Sequence, residues 1–250
     1  MINTKEKVSI VIPCYNEADS LNRLFLKITD IEKVIKSKYD LEIIFVNDGS
    51  IDNTYEILSK RYNGRKDVII ITYKNNKGYG YALKKGLKRV SGDLVVTIDA
   101  DTNYDQREVP SILSKMESGC DIVIASPFSQ DGKWRYPGLR FILSRVLSKI
   151  YDLILQGKGD GISTYTSCFR VYRKNILSHI LPGSDDFVAN AEILIRAILE
   201  GYRIEEYPTQ VYKREFGKSK MKIVRTIIAH IKFIWKIYRR EFNVRYLRDL

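Results

Sequence analysis

Two aspartates, Asp99 and Asp101, stand one residue apart at the end of the apolar run Val96-Thr97-Ile98. In an extended chain residues i and i+2 point to the same side, so both carboxylates would aim at one point. Like charges held that close repel unless something positive lies between them. Carboxylate oxygens are hard ligands, and the ion that suits the pair is Mg²⁺ or Mn²⁺, completed by substrate phosphates. A cation shared between Asp99, Asp101 and a diphosphate would stabilise that diphosphate as a leaving group. The competing reading is a polar strand end in solvent. A lone D-x-D arises by chance in many chains, so its surroundings must decide.

The elements that would position the pair are legible in the first 125 residues. Val8–Pro13, Leu41–Asp48, Asp67–Tyr73, Asp93–Asp99 and Asp121–Ser126 are short runs rich in Val and Ile, the pattern of strands covered on both faces. Helical stretches lie between them, at Ala18–Ser37, Asn53–Tyr62, Tyr79–Val90 and Arg107–Ser118. Such alternation predicts an α/β, Rossmann-like, doubly wound and mostly parallel sheet, in which ligands bind beyond the carboxyl ends of the strands. The polar residues after those ends are Pro13-Cys14-Tyr15-Asn16-Glu17, Asn47-Asp48-Gly49-Ser50, the segment from Lys74 to Gly80, and Asp99-Ala100-Asp101. All are expected along one rim. Lys77 and Gly78 precede a helix, where glycine permits close approach and N-terminal amides attract anions. Asp48 could equally be a turn residue, since Asp-Gly is a common turn pair.

The second half differs in charge. Residues 1–125 hold 19 Lys and Arg against 18 Asp and Glu; residues 126–250 hold 23 against 12, so +11 of the net +12 lies there. An anionic partner is implied, nucleic acid or a membrane surface. No segment resembles a nucleic-acid-binding motif, so no nucleic acid is expected. After a Gly- and Pro-containing loop at Ser126–Gly138 come an amphipathic basic helix at Arg140–Leu155, a strand at Thr164–Arg173, a helix at Phe187–Glu200 and a strand at Tyr202–Tyr212. In Met221–Phe242 the residues Val224, Ile227, Ile228, Ile231, Ile234, Trp235, Tyr238 and Phe242 follow helical spacing among basic neighbours. A basic amphipathic helix carrying Trp and Tyr suits an anionic headgroup region; a helix packed on the domain by its apolar stripe has the same periodicity. No run approaches twenty apolar residues, so no membrane span is expected. Cys14, Cys120 and Cys168 are odd in number and far apart, which suits a reducing, cytoplasmic setting.

Four rim segments, VSIVIPCYNE (Val8–Glu17), VNDGSIDNT (Val46–Thr54), NKGYGYALKKGL (Asn76–Leu87) and TIDADTNYD (Thr97–Asp105), resemble in order the signature of family 2 glycosyltransferases with the GT-A fold. TSCFRVYR (Thr166–Arg173), AEILIRAILEGYRIEEYP (Ala191–Pro208) and GKSKM (Gly217–Met221) resemble the dolichyl-phosphate mannose synthase branch. The resemblance implies a GT-A domain over residues 1–220, with a nucleotide-sugar half at 1–125, an acceptor half at 126–220, and a membrane-interface helix at 221–250. It implies that Pro13, Tyr15, Asn16, Glu17, Asp48, Lys77, Gly78 and Ala100 frame the nucleotide sugar together with the acid pair. Asp99 and Asp101 would be the catalytic metal ligands, with Asn103 adding a third oxygen. Arg140, Ser144, Arg170, Arg214 and Lys220 would grip an acceptor phosphate, a task suited to the planar fork of arginine.

The same resemblance implies an inverting transfer from a nucleotide sugar, GDP-mannose favoured and a UDP-sugar possible, to dolichyl or other polyprenyl phosphate. The protein would sit peripherally on the cytoplasmic face of an anionic membrane, with or without a membrane-protein partner. A polysaccharide or other non-lipid acceptor, with UDP-glucose or UDP-N-acetylglucosamine as donor, is the alternative, and a binding protein without activity is a further one. A phosphate monoester is already anionic, so its attack needs no general base; His179 and His230 accordingly read as packing or surface residues. Glu192 is a candidate for holding a sugar hydroxyl. One departure stands out: many relatives carry Gly-Ser-Arg after the fifth strand, whereas this chain has Ala125-Ser126-Pro127, leaving Lys133 or Arg135 to replace that arginine.

Overall fold

The computed structural model describes residues 5–136, 138–159, 161–214 and 222–239. Strands β1 (Glu6–Cys14), β2 (Tyr39–Asn47), β3 (Val68–Thr72), β4 (Leu94–Thr97) and β5 (Ile122–Ser126) alternate with helices α1 (Ala18–Ile35), α2 (Thr54–Arg61), α3 (Tyr79–Leu87) and α4 (Val109–Lys115). There follow the two-residue β6 (Lys133–Trp134), α5 (Leu139–Ile154), β7 (Arg170–Arg173) and the single-turn α6 (Leu177–Ile180). Helix α7 (Val188–Leu199), strands β8 (Ile204–Pro208) and β9 (Gln210–Val211), and α8 (Ile223–Tyr238) complete the described chain. The main sheet has the order β3-β2-β1-β4-β7-β5-β8, and β6 pairs with β9. All neighbours in the main sheet are parallel except around β7, which runs antiparallel to both β4 and β5.

The absence of apolar alternation in the central strands is explained by two cores, one on each face. Val8, Ile10 and Ile12 of β1 point towards α1 and α4, together with Leu24, Ile28 and Ile112. Val11 of the same strand points the other way, among Leu83 of α3 and Leu194 of α7. All four β1 side chains are fully buried, and burying such a side chain stabilises by roughly 1.5–3 kcal/mol. The strand expected over Thr164–Arg173 is shorter because its first part is held differently. The N–H groups of Ser163 and Thr164 donate to the Glu206 carboxylate at 2.8 and 3.1 Å instead of to a neighbouring strand.

Because β1, β2 and β4 are parallel, their carboxyl ends share one rim, and α1 and α3 both begin at that rim. Helices α5 and α8 lie on the α3–α7 side. Tyr151 of α5 and Phe233 of α8 are buried in that core, with the rings 6.2 Å apart. Helix α8 therefore packs on the domain, yet a second row on it, Val224, Ile228, Ile231, Trp235 and Tyr238, stays exposed. No described helix is long and apolar enough to cross a membrane.

Candidate active site

The rim loops are tied to one another before they meet any ligand. Asn16 adopts φ 53°, a left-handed conformation that Asn tolerates better than most residues. Its N–H donates to Ser50 Oγ at 2.9 Å, and its Oδ1 accepts the Ile51 N–H at 2.8 Å. Asn16 thus joins the loops after β1 and β2 and does not line the cleft, contrary to its expected place in the nucleotide pocket. Asp48 does line it. Its Oδ1 accepts the Lys77 N–H at 2.8 Å, while Oδ2 accepts Gly78 N–H at 2.9 Å and Asn76 Nδ2 at 2.7 Å. Burial pushes the Asp48 carboxyl above its ordinary pKa, and these donors pull against that rise.

Gly78 has φ 105°, and a Cβ there would stand 2.3 Å from the carbonyl oxygen of Asp185. That same oxygen accepts the N–H groups of Gly80 and Tyr81 at 2.9 and 3.3 Å. The amides opening α3, expected to attract a ligand anion, are therefore occupied by Asp48 and by the segment before α7. Lys77 and Gly78 still border the cleft, but they shape it rather than present a vacant anion cradle.

The cleft has a volume of ≈ 950 Å³ and runs along the rim from Pro13, Tyr15 and Glu17, past Asp99, Ala100, Asp101 and Asn103, to α5 and α8. Asp99 Oδ2 accepts the Cys168 thiol at 2.8 Å. Asp101 accepts from the Asn103 N–H at 3.2 Å and from Asn103 Nδ2 at 2.9 Å. Asn103 Oδ1 is buried with no hydrogen-bond partner. Two neighbouring carboxylates and one orphaned carbonyl oxygen form a hard donor set, which fits a divalent cation of the Mg²⁺ or Mn²⁺ type. Among the described residues no three His, Cys, Asp or Glu side chains form a closed metal cage. Further ligands would have to come from Asn103, water and a substrate.

Burial first, and then the charge of Asp101, raise the Asp99 carboxyl from 3.8 to about 7. A carboxyl raised on folding contributes stability that is complete below its unfolded value and is lost as pH rises towards the folded one. The metal-free protein is accordingly expected to lose thermal stability between about pH 4 and about pH 7 through this group. Unfolding midpoints at both ends of that window should draw together in Asp99→Asn; an undiminished difference would assign the effect to other groups.

Cations face the acids from the second half of the chain. The Arg214 guanidinium pairs with the Glu17 carboxylate and stands 3.8 Å from Asp101 Oδ2. Arg140, in the first turn of α5, lines the cleft, and its charge helps to hold the Asp101 carboxyl down against burial. Ser144 follows one turn later, with its Oγ 2.6 Å from Thr166 Oγ1. Arg145 points away and lies over the Phe128 ring at 5.1 Å. Lys133 and Arg135 do not line the cleft. Lys220 and the Gly217–Met221 segment lie outside the described residues.

Arg170 is a correction. It is fully buried and donates to the carbonyl oxygens of Asn190 and Tyr165 at 2.7 and 2.9 Å, so it cannot reach an acceptor phosphate. The central place of β7 buries both faces of that strand, and its arginine serves backbone groups of α7 and of the preceding loop. Glu192 is a second correction. Its carboxylate accepts the N–H groups of Gly183 and Ser184 at 2.9 and 2.8 Å and pairs with Arg196, bracing the segment behind the cleft. His230, read as a packing residue, is buried and bonded through Nδ1 to Tyr151 Oη at 2.6 Å, yet it also lines the cleft. Asp185 and Asp186 line it as well and carried no motif that marked them.

A doubly wound sheet with an acid pair at its carboxyl rim, and arginines across the same cleft, defines a GT-A nucleotide-sugar transferase. A family model described as Glycosyl transferase family 2 matches residues 9–181, and the chain belongs to that family. Among solved structures it is similar to glucosyl-3-phosphoglycerate synthase from Mycobacterium tuberculosis. In the complex of that protein with Mn²⁺, UDP and glucosyl-3-phosphoglycerate, the match has 18% identity and TM-score 0.68, covering 93% of this chain and 78% of that one. In its complex with Mg²⁺ and UDP the values are 19%, 0.69, 92% and 79%. The complex with Mn²⁺, UDP-glucose and phosphoglyceric acid gives the same four values. At this level of identity the likeness establishes the fold.

Proposed function

We propose that the protein transfers a hexose from a nucleoside diphosphate sugar to an acceptor bearing a phosphate, with a divalent cation held by Asp99, Asp101 and Asn103. The observation that carries this reading is the convergence of the acid pair with Arg214 and Arg140 on one cleft. The bound cation supplies electrostatic stabilisation of the leaving diphosphate. Pro13, Tyr15, Glu17 and Asp48 frame the nucleoside end of the cleft, and Arg140 with Ser144 holds the acceptor anion opposite. Where the attacking group is the phosphate itself, as on a polyprenyl phosphate, no deprotonation is needed. On a phosphoglycerate-like acceptor a hydroxyl attacks, and the departing diphosphate can take its proton. In either case the side chains work by positioning the reactants. The structural neighbours were crystallised with UDP, UDP-glucose and phosphoglyceric acid, which supports a UDP-sugar over GDP-mannose and a small phosphorylated acceptor.

A second reading keeps the polyprenyl phosphate acceptor of the dolichyl-phosphate mannose synthase branch. It is favoured by the acceptor end of the cleft, walled by Leu143 and Leu147 of α5 and by Ile223 and Ile227 of α8. Beside it lie exposed apolar side chains, Leu139 and Ile142 on α5 and Trp235 and Tyr238 on α8. Such a surface among Arg and Lys suits an anionic membrane face. Radiolabelled UDP-glucose and GDP-mannose, each offered with 3-phosphoglycerate and with polyprenyl phosphate in vesicles, separate the readings. Label in an aqueous phosphorylated product supports the first, and label in a chloroform-extractable, acid-labile product supports the second. Label found only in a polymer formed without either acceptor would overturn both.

A further inference from the structure

Lys27 lies on the inner face of α1, where Ser20, Leu24 and Ile31 at helical spacing are buried with it. Only 10% of its side chain is exposed. Its ammonium donates to Gln106 Oε1 at 2.8 Å, to the Tyr104 carbonyl at 3.0 Å and to the Thr102 carbonyl at 3.4 Å; Asp105 Oδ1 stands 3.9 Å away. Gln106, itself buried, extends the tie, because its Nε2 donates to the Asp99 carbonyl at 3.1 Å. One ammonium thus holds the main chain on both sides of Asp101.

The segment it holds is strained. Thr102 has φ 58°, and a β-branched residue in the left-handed region is a true outlier. Such a conformation persists only where the surroundings over-determine it. Its effect appears in the next residue, since the turn brings the Asn103 N–H and side-chain amide onto Asp101. Packing alone gives no reason for an ammonium here. Burial lowers the Lys27 pKa from 10.5 to about 8 even with Asp105 nearby, and an apolar side chain like those around it would carry no such desolvation cost.

We infer that Lys27 is a positioning residue for the acidic turn: its ammonium fixes the backbone that aims Asp101 and Asn103 at the divalent cation. The inference rests on the metal reading of Asp99 and Asp101 proposed above. Electron paramagnetic resonance of Mn²⁺ with saturating UDP or GDP, read against protein-free mixtures of the same metal and nucleotide, measures cation affinity. Calorimetry with uridine in the absence of metal measures the nucleoside pocket alone. Wild type is expected to bind Mn²⁺, and Lys27→Met to bind it at least tenfold more weakly with uridine affinity unchanged. Lys27→Gln, which keeps a donor without charge, should fall between them. Gln106→Met removes one acceptor of the ammonium together with the branch to Asp99 and leaves the bonds to Tyr104 and Thr102. It should weaken Mn²⁺ binding in the same direction, which keeps the test decisive if Lys27→Met fails to fold. Unchanged Mn²⁺ affinity in the folded variants overturns the positioning role and leaves the metal reading standing. Parallel loss of uridine and Mn²⁺ binding in every variant overturns it too, by showing a general loss of the site. Absence of Mn²⁺ binding to wild type with UDP and with GDP alike overturns the metal reading itself, and the inference with it.

Discussion

Replacing Asp101 with alanine is expected to lower kcat for sugar transfer by on the order of 10³-fold, the scale seen when a preorganised charge-stabilising group is removed from an active site. Asp101 is the acid on which the rest of the site converges. Asn103 donates to it through both its backbone and its side chain, and Arg214 approaches it from the acceptor half. Without it, Asp99 still accepts the Cys168 thiol, but one carboxylate alone is a poor divalent site. Asp101→Asn separates charge from shape. It can preserve a hydrogen bond to Asn103 but not the negative charge, so it should be almost as inactive as alanine. Neither change should unfold the protein, because each removes one of two mutually repelling acids. Steady-state kinetics across a Mn²⁺ titration, read beside the unfolding midpoint, checks this. Activity within tenfold of wild type at the same metal requirement would remove the acid pair from the mechanism.

The frame of this site was legible in the sequence because central parallel strands and their helices leave periodic patterns that local residues dictate. β1, β2, β4 and β5 end within a residue or two of where their apolar runs end, and parallel pairing then brings Pro13, Asp48 and Asp99 to one rim. Pairing order is not a local property. Nothing in Arg170–Arg173 says that this segment enters the sheet antiparallel between β4 and β5, and that insertion alone turns Arg170 from a surface cation into a buried brace. Asn16 departs from its expected place for a related reason: a polar residue on the rim can serve another loop as readily as a ligand, and its bonds to Ser50 and Ile51 cross 34 and 35 residues of chain. Lys27 did leave a signal. It falls in register with Ser20, Leu24 and Ile31, so a lysine on the buried stripe of an amphipathic helix was visible, though its three acceptors were not. His230 and Asp186 left none, because only the packing of α7 and α8 beside the cleft gives them a place in it.

Arg214→Met should be the second most damaging change, with kcat lowered by on the order of 10²-fold. The guanidinium now answers two acids, Glu17 at the nucleoside end and Asp101 at the metal end, with only 13% of its side chain exposed. A bound cation would take over the neutralisation of Asp101, leaving the arginine fork to turn towards the phosphates of the donor or acceptor. Removing it therefore acts twice. The protein without ligands is left with buried acids lacking their counter-charge, a defect that costs about 3–5 kcal/mol when a buried pair is broken. The liganded protein would lose the phosphate contact expected of that fork. Arg214→Lys keeps the charge but not the fork and should recover stability more fully than activity. Kinetics with donor and acceptor varied separately then locate the phosphate that Arg214 serves. A rise confined to the acceptor KM assigns it to the acceptor phosphate expected from the sequence. A fall in kcat with the acceptor KM unchanged assigns it to the leaving diphosphate, the group that its position beside Asp101 favours. Wild-type kcat in Arg214→Met, together with unchanged stability, would show that the pairing with Glu17 and Asp101 has no part in either state.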